Sequence, residues 1–100
     1  MKIEGAKFQD IRAEVVKWAQ DNGFTVTNSI NHGEGDRLHR IEIHLMKDGT
    51  GLEFTSSADF GYIHGEGSLN TLSTTIMDTD ELGEAVERLL KVHGPEVNES

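Results

Sequence analysis

The chain has no cysteine and a single proline, Pro95, in 100 residues. The first absence excludes disulfide staples and thiolate chemistry. The second leaves the chain up to residue 94 free of the ring that breaks helices and central strands. No apolar run reaches the roughly 18 residues that a membrane-spanning helix needs. The opening MKIEGAKF lacks the apolar stretch of a secretory signal. Together these absences predict a cytoplasmic protein with no membrane association.

Basic residues are also scarce, with nine Lys and Arg against eighteen Asp and Glu for a net charge of −9. Charges cancel in residues 1–23, whereas residues 51–100 hold ten acids against Arg88 and Lys91, so that half carries −8. A nucleic-acid interface needs a Lys/Arg footprint facing the phosphates, and none is present, so direct nucleic-acid binding is not expected. The charge points instead to a basic partner protein or to simple solubility.

What the sequence does contain is periodic. Phe8, Ile11, Val15, Trp18 and Ala19 fall at helical spacing and predict a helix over residues 6–22, stopped by Asn22-Gly23. Phe24, Val26 and Ile30 alternate with Thr25, Thr27 and Ser29, the period of a half-buried strand. In LHRIEIHLMK, Ile41, Ile43 and Leu45 share one face and Arg40, Glu42 and His44 the other. Asp48-Gly49 reads as a type I′ hairpin turn. Pairing Lys47 with Thr50 sets Leu45 opposite Leu52, Ile43 opposite Phe54, and His44 opposite Glu53 on the solvent face.

A long third strand is expected over Gly51–His64, bent near Ser57–Asp59, and a fourth over Ser68–Met77. A Gly65–Gly67 loop between them would set Phe60 opposite Leu72 and Ser56 opposite Ile76 in the core. Asp78 reads as a helix N-cap with Glu81 three residues on. Leu82, Ala85, Val86, Leu89, Leu90 and His93 then continue one stripe to the Gly94-Pro95 stop. The expected fold is α+β, a two-layer sandwich: a four-stranded antiparallel meander with an N-terminal and a C-terminal helix on one face, in the order α-β-β-β-β-α. It forms a single domain over residues 1–95, with 96–100 a frayed tail.

The tetrapeptide HGEG occurs twice, at His32–Gly35 and His64–Gly67. In a four-stranded meander both loops lie at one end of the sheet, about 10 Å apart. That would bring His32, Glu34, Asp36, His64 and Glu66 onto one rim. His and carboxylate are zinc or nickel ligands, but glycine-flanked loops preorganise a site poorly. The expectation is two tight turns with glycine at positive φ, and no metal or cofactor. Neither copy completes a phosphate-binding fingerprint. No nucleophile elbow is present. His39 is expected to point coreward, and His93 to sit favourably at a helix C-terminus. No catalytic residue is assigned, and the chain is not expected to be an enzyme.

The strands Phe24–Asn31 and Ser68–Met77, expected at the sheet edges, carry no charged residue. Edges are normally guarded by charge. Ile63 and Leu69 are expected to face each other on the outer sheet face, beside Thr55, Thr71 and Met46. The function expected is a small acidic, non-enzymatic protein-binding module of inhibitor, immunity or anti-defence type, nucleic-acid mimicry being one version. It would dock on a basic partner protein, a nucleic-acid-binding one being one version, through Glu53, Asp59, Ile63, Glu66, Leu69, Glu84 and Glu87. The alternative is a homodimer or larger assembly formed through Ser68–Met77.

Overall fold

The computed structural model of the chain describes residues 1–65 and 73–93. Helix α1 spans Phe8–Asp21, strands β1 to β5 span Thr25–His32, Arg40–Lys47, Thr50–Ser56, Gly61–Gly65 and Ser73–Ile76, and helix α2 spans Leu82–His93. The expectations for Glu66, Leu69, Thr71 and Leu72, for the Gly94-Pro95 stop and for the 96–100 tail lie outside the described residues, as does the side chain of His93.

The architecture is α+β with an antiparallel sheet, but the sheet has five strands in sequential order, not four. The extra strand arises within the segment expected to form one long bent strand. Ser56 pairs with Gly61, so Ser57–Phe60 is a hairpin turn. The Ser57 hydroxyl accepts from the backbone N–H of Asp59 and Phe60, and Ser57 N–H donates to the Phe60 carbonyl. A hydroxyl that satisfies two N–H groups in this way holds the reversal that a bend would not.

Every element after Ser57 therefore changes partner. Ile76 lies opposite Gly61, not Ser56. Phe60 is 39% exposed, whereas Ile63, expected outside, is fully buried. An added turn reverses the chain again, so the two HGEG segments begin at opposite ends of the sheet. The first follows β1 at His32. The second begins in β4, where Gly65 pairs with Leu52 near the Asp48-Gly49 turn.

The hairpin at Asp48-Gly49 has the expected register, with Lys47 opposite Thr50, Leu45 opposite Leu52 and Ile43 opposite Phe54. Asp48 and Gly49 take φ of 51° and 80°, both positive as a type I′ turn requires. Helix α1 packs over β1 and β2, and α2 over β4 and β5. Between helices and sheet lie Ile11, Val15, Ala19, Ile41, Ile43, Leu45, Leu52, Phe54, Ile63, Leu82 and Leu89, each almost wholly removed from water. Fully burying a side chain of this size stabilises by roughly 1.5–3 kcal/mol. Gly61 makes room for the largest of them: a Cβ there would lie 2.9 Å from the Phe54 ring.

The N-terminal segment closes one end of this core. Ile3 is fully buried, its N–H donates to the Met77 carbonyl at 2.9 Å, and Lys2 bridges Asp78. Asp78 caps the 3-10 turn Thr79–Glu81 by accepting from Asp80 N–H, and the Glu81 carboxylate reaches back to Met77 N–H. That is the expected cap, displaced by one residue on its return bond.

Candidate functional site

Strand β1 has one irregularity, and it decides what the open face of the sheet carries. Val26 pairs with Leu45 but Asn28 pairs with His44, so Thr27 is an extra residue in a β-bulge. Side chains alternate faces along a strand, so one inserted residue inverts the facing of every later one. Before the bulge, Val26 faces the helices. After it, Asn28, Ile30 and His32 face outward, where an unbroken alternation puts Ile30 and His32 inward. Ser29 and Asn31 point to the helix side instead, and the α1 residue Arg12 donates to both.

His32 thereby reaches Glu42, with Nε2 at 2.5 Å from Oε1. The other Glu42 oxygen, Oε2, lies 3.1 Å from His44 Nε2. His44 Nε2 is in turn 3.9 Å from Glu53 Oε1, and Glu53 Oε2 is 3.7 Å from His64 Nε2. The result is a row, His32–Glu42–His44–Glu53–His64, crossing β1, β2, β3 and β4. The side chains are half-buried, between 17% and 29% exposed. Two of the cross-strand neighbours follow from register alone, His44 opposite Glu53 and Glu53 opposite His64.

The outer imidazoles are fixed by their other nitrogens. Arg40 Nη2 lies 3.4 Å from His32 Nδ1; a guanidinium only donates, so Nδ1 accepts and the ring N–H faces Glu42. His64 Nδ1 donates to the Gly65 carbonyl at 3.0 Å, and its ring stacks on Tyr62 with centroids 5.8 Å apart. Tyr62 also meets Phe60, at 6.4 Å. Thr55, opposite Tyr62, is covered to 3% exposure and its hydroxyl lies 3.5 Å from Glu53 Oε2.

The two carboxylates titrate as unlike partners. The hydrogen bond from Glu53, then that from His32, holds Glu42 down at about 2. Burial, then the hydrogen bond to Glu42, pushes Glu53 above the ordinary carboxylate range. Glu53 is thus the member that takes up a proton first as pH falls, and Glu42 the one that stays ionised.

The residues expected to bind a partner divide among separate places. Glu53 belongs to the outer-face row. Ile63 is in the core and touches no solvent. Glu66 and Leu69 lie outside the described residues. Glu84 and Glu87 are exposed on α2, each with a base four residues on, Arg88 and Lys91, so that helical face is balanced in charge. Asp59 is exposed in the β3–β4 turn. His39, expected coreward, is exposed in the β1–β2 connection with Nδ1 near the Arg37 carbonyl, and Leu38 packs on the core instead.

A second surface forms around Asp59. Gly61 opposite Ile76 is the last pair of β4 and β5, so Phe60 and Met77 leave the sheet at neighbouring positions. They are 39% and 50% exposed, two of the three large hydrophobic side chains exposed among the described residues. Asp59, Asp78, Asp80 and Glu81 surround them in sequence. Asp78 and Asp80 meet the Met1 ammonium group at 3.0 and 3.6 Å. No ion pair among the described residues engages Asp59.

Comparison with protein-family models, with characterised proteins and with solved structures finds no match. Among the described residues, no helix is long and apolar enough to cross a membrane.

Proposed function

We propose that the protein is a non-enzymatic, cytoplasmic protein-binding module of inhibitor, immunity or anti-defence type. It docks on a basic surface of a partner through the sheet end that carries Phe60 and Met77. The observation that carries this reading is the pairing of two exposed large apolar side chains with the carboxylates of Asp59, Asp78, Asp80 and Glu81. An interface needs apolar anchors that exclude water and a polar rim that sets partner choice. Here the rim is acidic, so the complementary partner surface is basic around an apolar centre.

The test is affinity capture with the full chain at low and high salt, alongside Phe60→Ser/Met77→Ser and Asp59→Lys/Asp80→Lys. A basic protein held by the wild type at low salt and lost with both variants supports the reading. Retention unchanged by both variants overturns it. The alternative, self-association, is favoured by one observation: β5 is a sheet edge of four uncharged residues, Ser73–Ile76. A monomer throughout the micromolar range in light scattering excludes that alternative.

A further inference from the structure

The outer-face row has a centre. One nitrogen of His44 and one oxygen each of Glu42 and Glu53 lie within 4.8 Å of one another. His44 Nε2 stands 3.1 Å from Glu42 Oε2 and 3.9 Å from Glu53 Oε1. Ligand atoms around a tetrahedral zinc ion, with bonds of about 2.0–2.1 Å, are separated by about 3.3 Å. The two observed separations bracket that value and the third, between the carboxylates, is within 4.8 Å, so side-chain adjustment can bring the three atoms onto one ion.

We propose that Glu42, His44 and Glu53 bind one divalent transition-metal ion of the zinc class, with a coordination position left open to solvent on the outer sheet face.

Three features support this site over a chance meeting of side chains. First, the ligands sit on adjacent paired strands, β2 and β3, whose register is pinned by the Asp48-Gly49 turn. Ligands on rigid elements hold a site better than ligands on loops, and the glycine-flanked HGEG segments supply none of the three. Second, each carboxylate turns one oxygen toward His44 and the other toward an outer imidazole: Glu42 Oε1 toward His32, Glu53 Oε2 toward His64. Outer groups that orient ligating carboxylates are the usual second layer of a metal site. Third, the Thr27 bulge is what brings His32 into that layer, and bulges characteristically re-aim side chains at sites.

The chemistry selects the class of ion. An imidazole with two carboxylates suits zinc and its first-row neighbours, whereas magnesium and calcium favour oxygen-only sets. Two carboxylates also match the double charge of the ion. His32 and His64 act as positioning residues.

The experiment uses the full chain, stripped with chelator and titrated with Zn(II) by calorimetry, then with Co(II) followed by visible absorption. One equivalent of Zn(II) is expected, with a Co(II) spectrum of a four- or five-coordinate site. His44→Ala and the isosteric Glu53→Gln should each lower Zn(II) affinity at least 100-fold and abolish that spectrum. His32→Ala should lower affinity 10- to 100-fold with the Co(II) band shifted but retained, the range usual for loss of an outer-layer partner. Asp10→Asn, exposed on α1 away from the outer sheet face, should change nothing. Circular dichroism confirms that each variant is folded, and Glu53→Gln serves where His44→Ala is not. No Zn(II) uptake at millimolar concentration, or uptake unchanged in both His44→Ala and Glu53→Gln, overturns the proposal. None of these variants touches Phe60, Met77, Asp59 or Asp80, so the outcome is independent of the partner-docking test.

Discussion

Truncating Ile63 and Phe60, one at a time, separates a five-stranded sheet from a four-stranded one. Ile63 has no exposed surface and faces the helices, and Phe60 is 39% exposed at the β3–β4 turn. Ile63→Ala removes three carbons, worth about 2.4 kcal/mol at roughly 0.8 kcal/mol for each buried methylene. The cavity left behind adds to this, so the total is about 3–4 kcal/mol. Phe60→Ala, losing contacts chiefly with Tyr62, should cost about 1 kcal/mol. With one long third strand the two values exchange: Phe60 in the core would cost about 3–5 kcal/mol, and an outward Ile63 no more than about 0.5 kcal/mol. Urea unfolding followed by Trp18 fluorescence measures both, since that indole stacks on Phe24 at 5.5 Å within the fold. In thermal melts, Ile63→Ala should lower Tm by about 12–32 °C, taking about 4–8 °C for each kcal/mol in a domain of this size. A larger loss for Phe60→Ala than for Ile63→Ala would refute the five-stranded register.

Gly33 takes φ of +100°, and a Cβ there would lie 2.2 Å from the Arg37 carbonyl oxygen. Gly33→Ala should therefore destabilise by more than about 1 kcal/mol, whereas Gly35→Ala, with open space around its Cβ, should cost less; equal losses in chemical denaturation would contradict this. In metal-free protein, Glu42 and Glu53 should respond oppositely to neutralisation. Glu42, held at about 2 against an ordinary 4.5, contributes stability that is present above pH 4.5 and lost as pH falls toward 2. Glu53, raised by burial and by Glu42, costs stability at neutral pH, and that cost disappears as pH falls through its folded value. At pH 7, Glu53→Gln should raise Tm and Glu42→Gln should lower it, the gap closing in acid; shifts of the same sign would be inconsistent with the opposed titration of the two carboxylates. Deleting Thr27 removes the bulge but leaves Val26 opposite Leu45 and Asn28 opposite His44, so His32 should still face Glu42; loss of nuclear Overhauser contacts between His32 and Glu42 on deletion would refute this register.

The parts of the fold legible in the sequence are those in which two independent signals constrain the same residues. In β2 and β3, a period of two and a turn that needs two positive φ values agree, and the register with His44 opposite Glu53 is their joint result. The stripes of α1 and α2 are legible for the same reason, each ending or starting at a cap. A single signal standing alone misleads. Gly51–His64 reads as one strand on composition and alternation alone, but the four-residue turn puts the alternation beyond it out of phase, so that Ile63 and not Phe60 is buried. The turn is written in Ser57-Ala58-Asp59, where the serine and aspartate favour reversals through side-chain hydrogen bonds, and that signal outweighs the apolar alternation around it.

The Thr27 bulge leaves no comparable mark. Threonine is an ordinary strand residue, and the apolar residue displaced outward, Ile30, fits the unbroken alternation equally well. What distinguishes the two phases is the polar set: an unbroken strand would bury His32 among aliphatic side chains with no partner, whereas the bulged strand sets it against Glu42 and leaves Ser29 and Asn31 to Arg12. Burying an unpaired imidazole costs more than half-exposing one isoleucine. The row on the outer face is therefore a consequence of satisfying polar groups, which act between strands, and an apolar pattern read along one strand does not contain it.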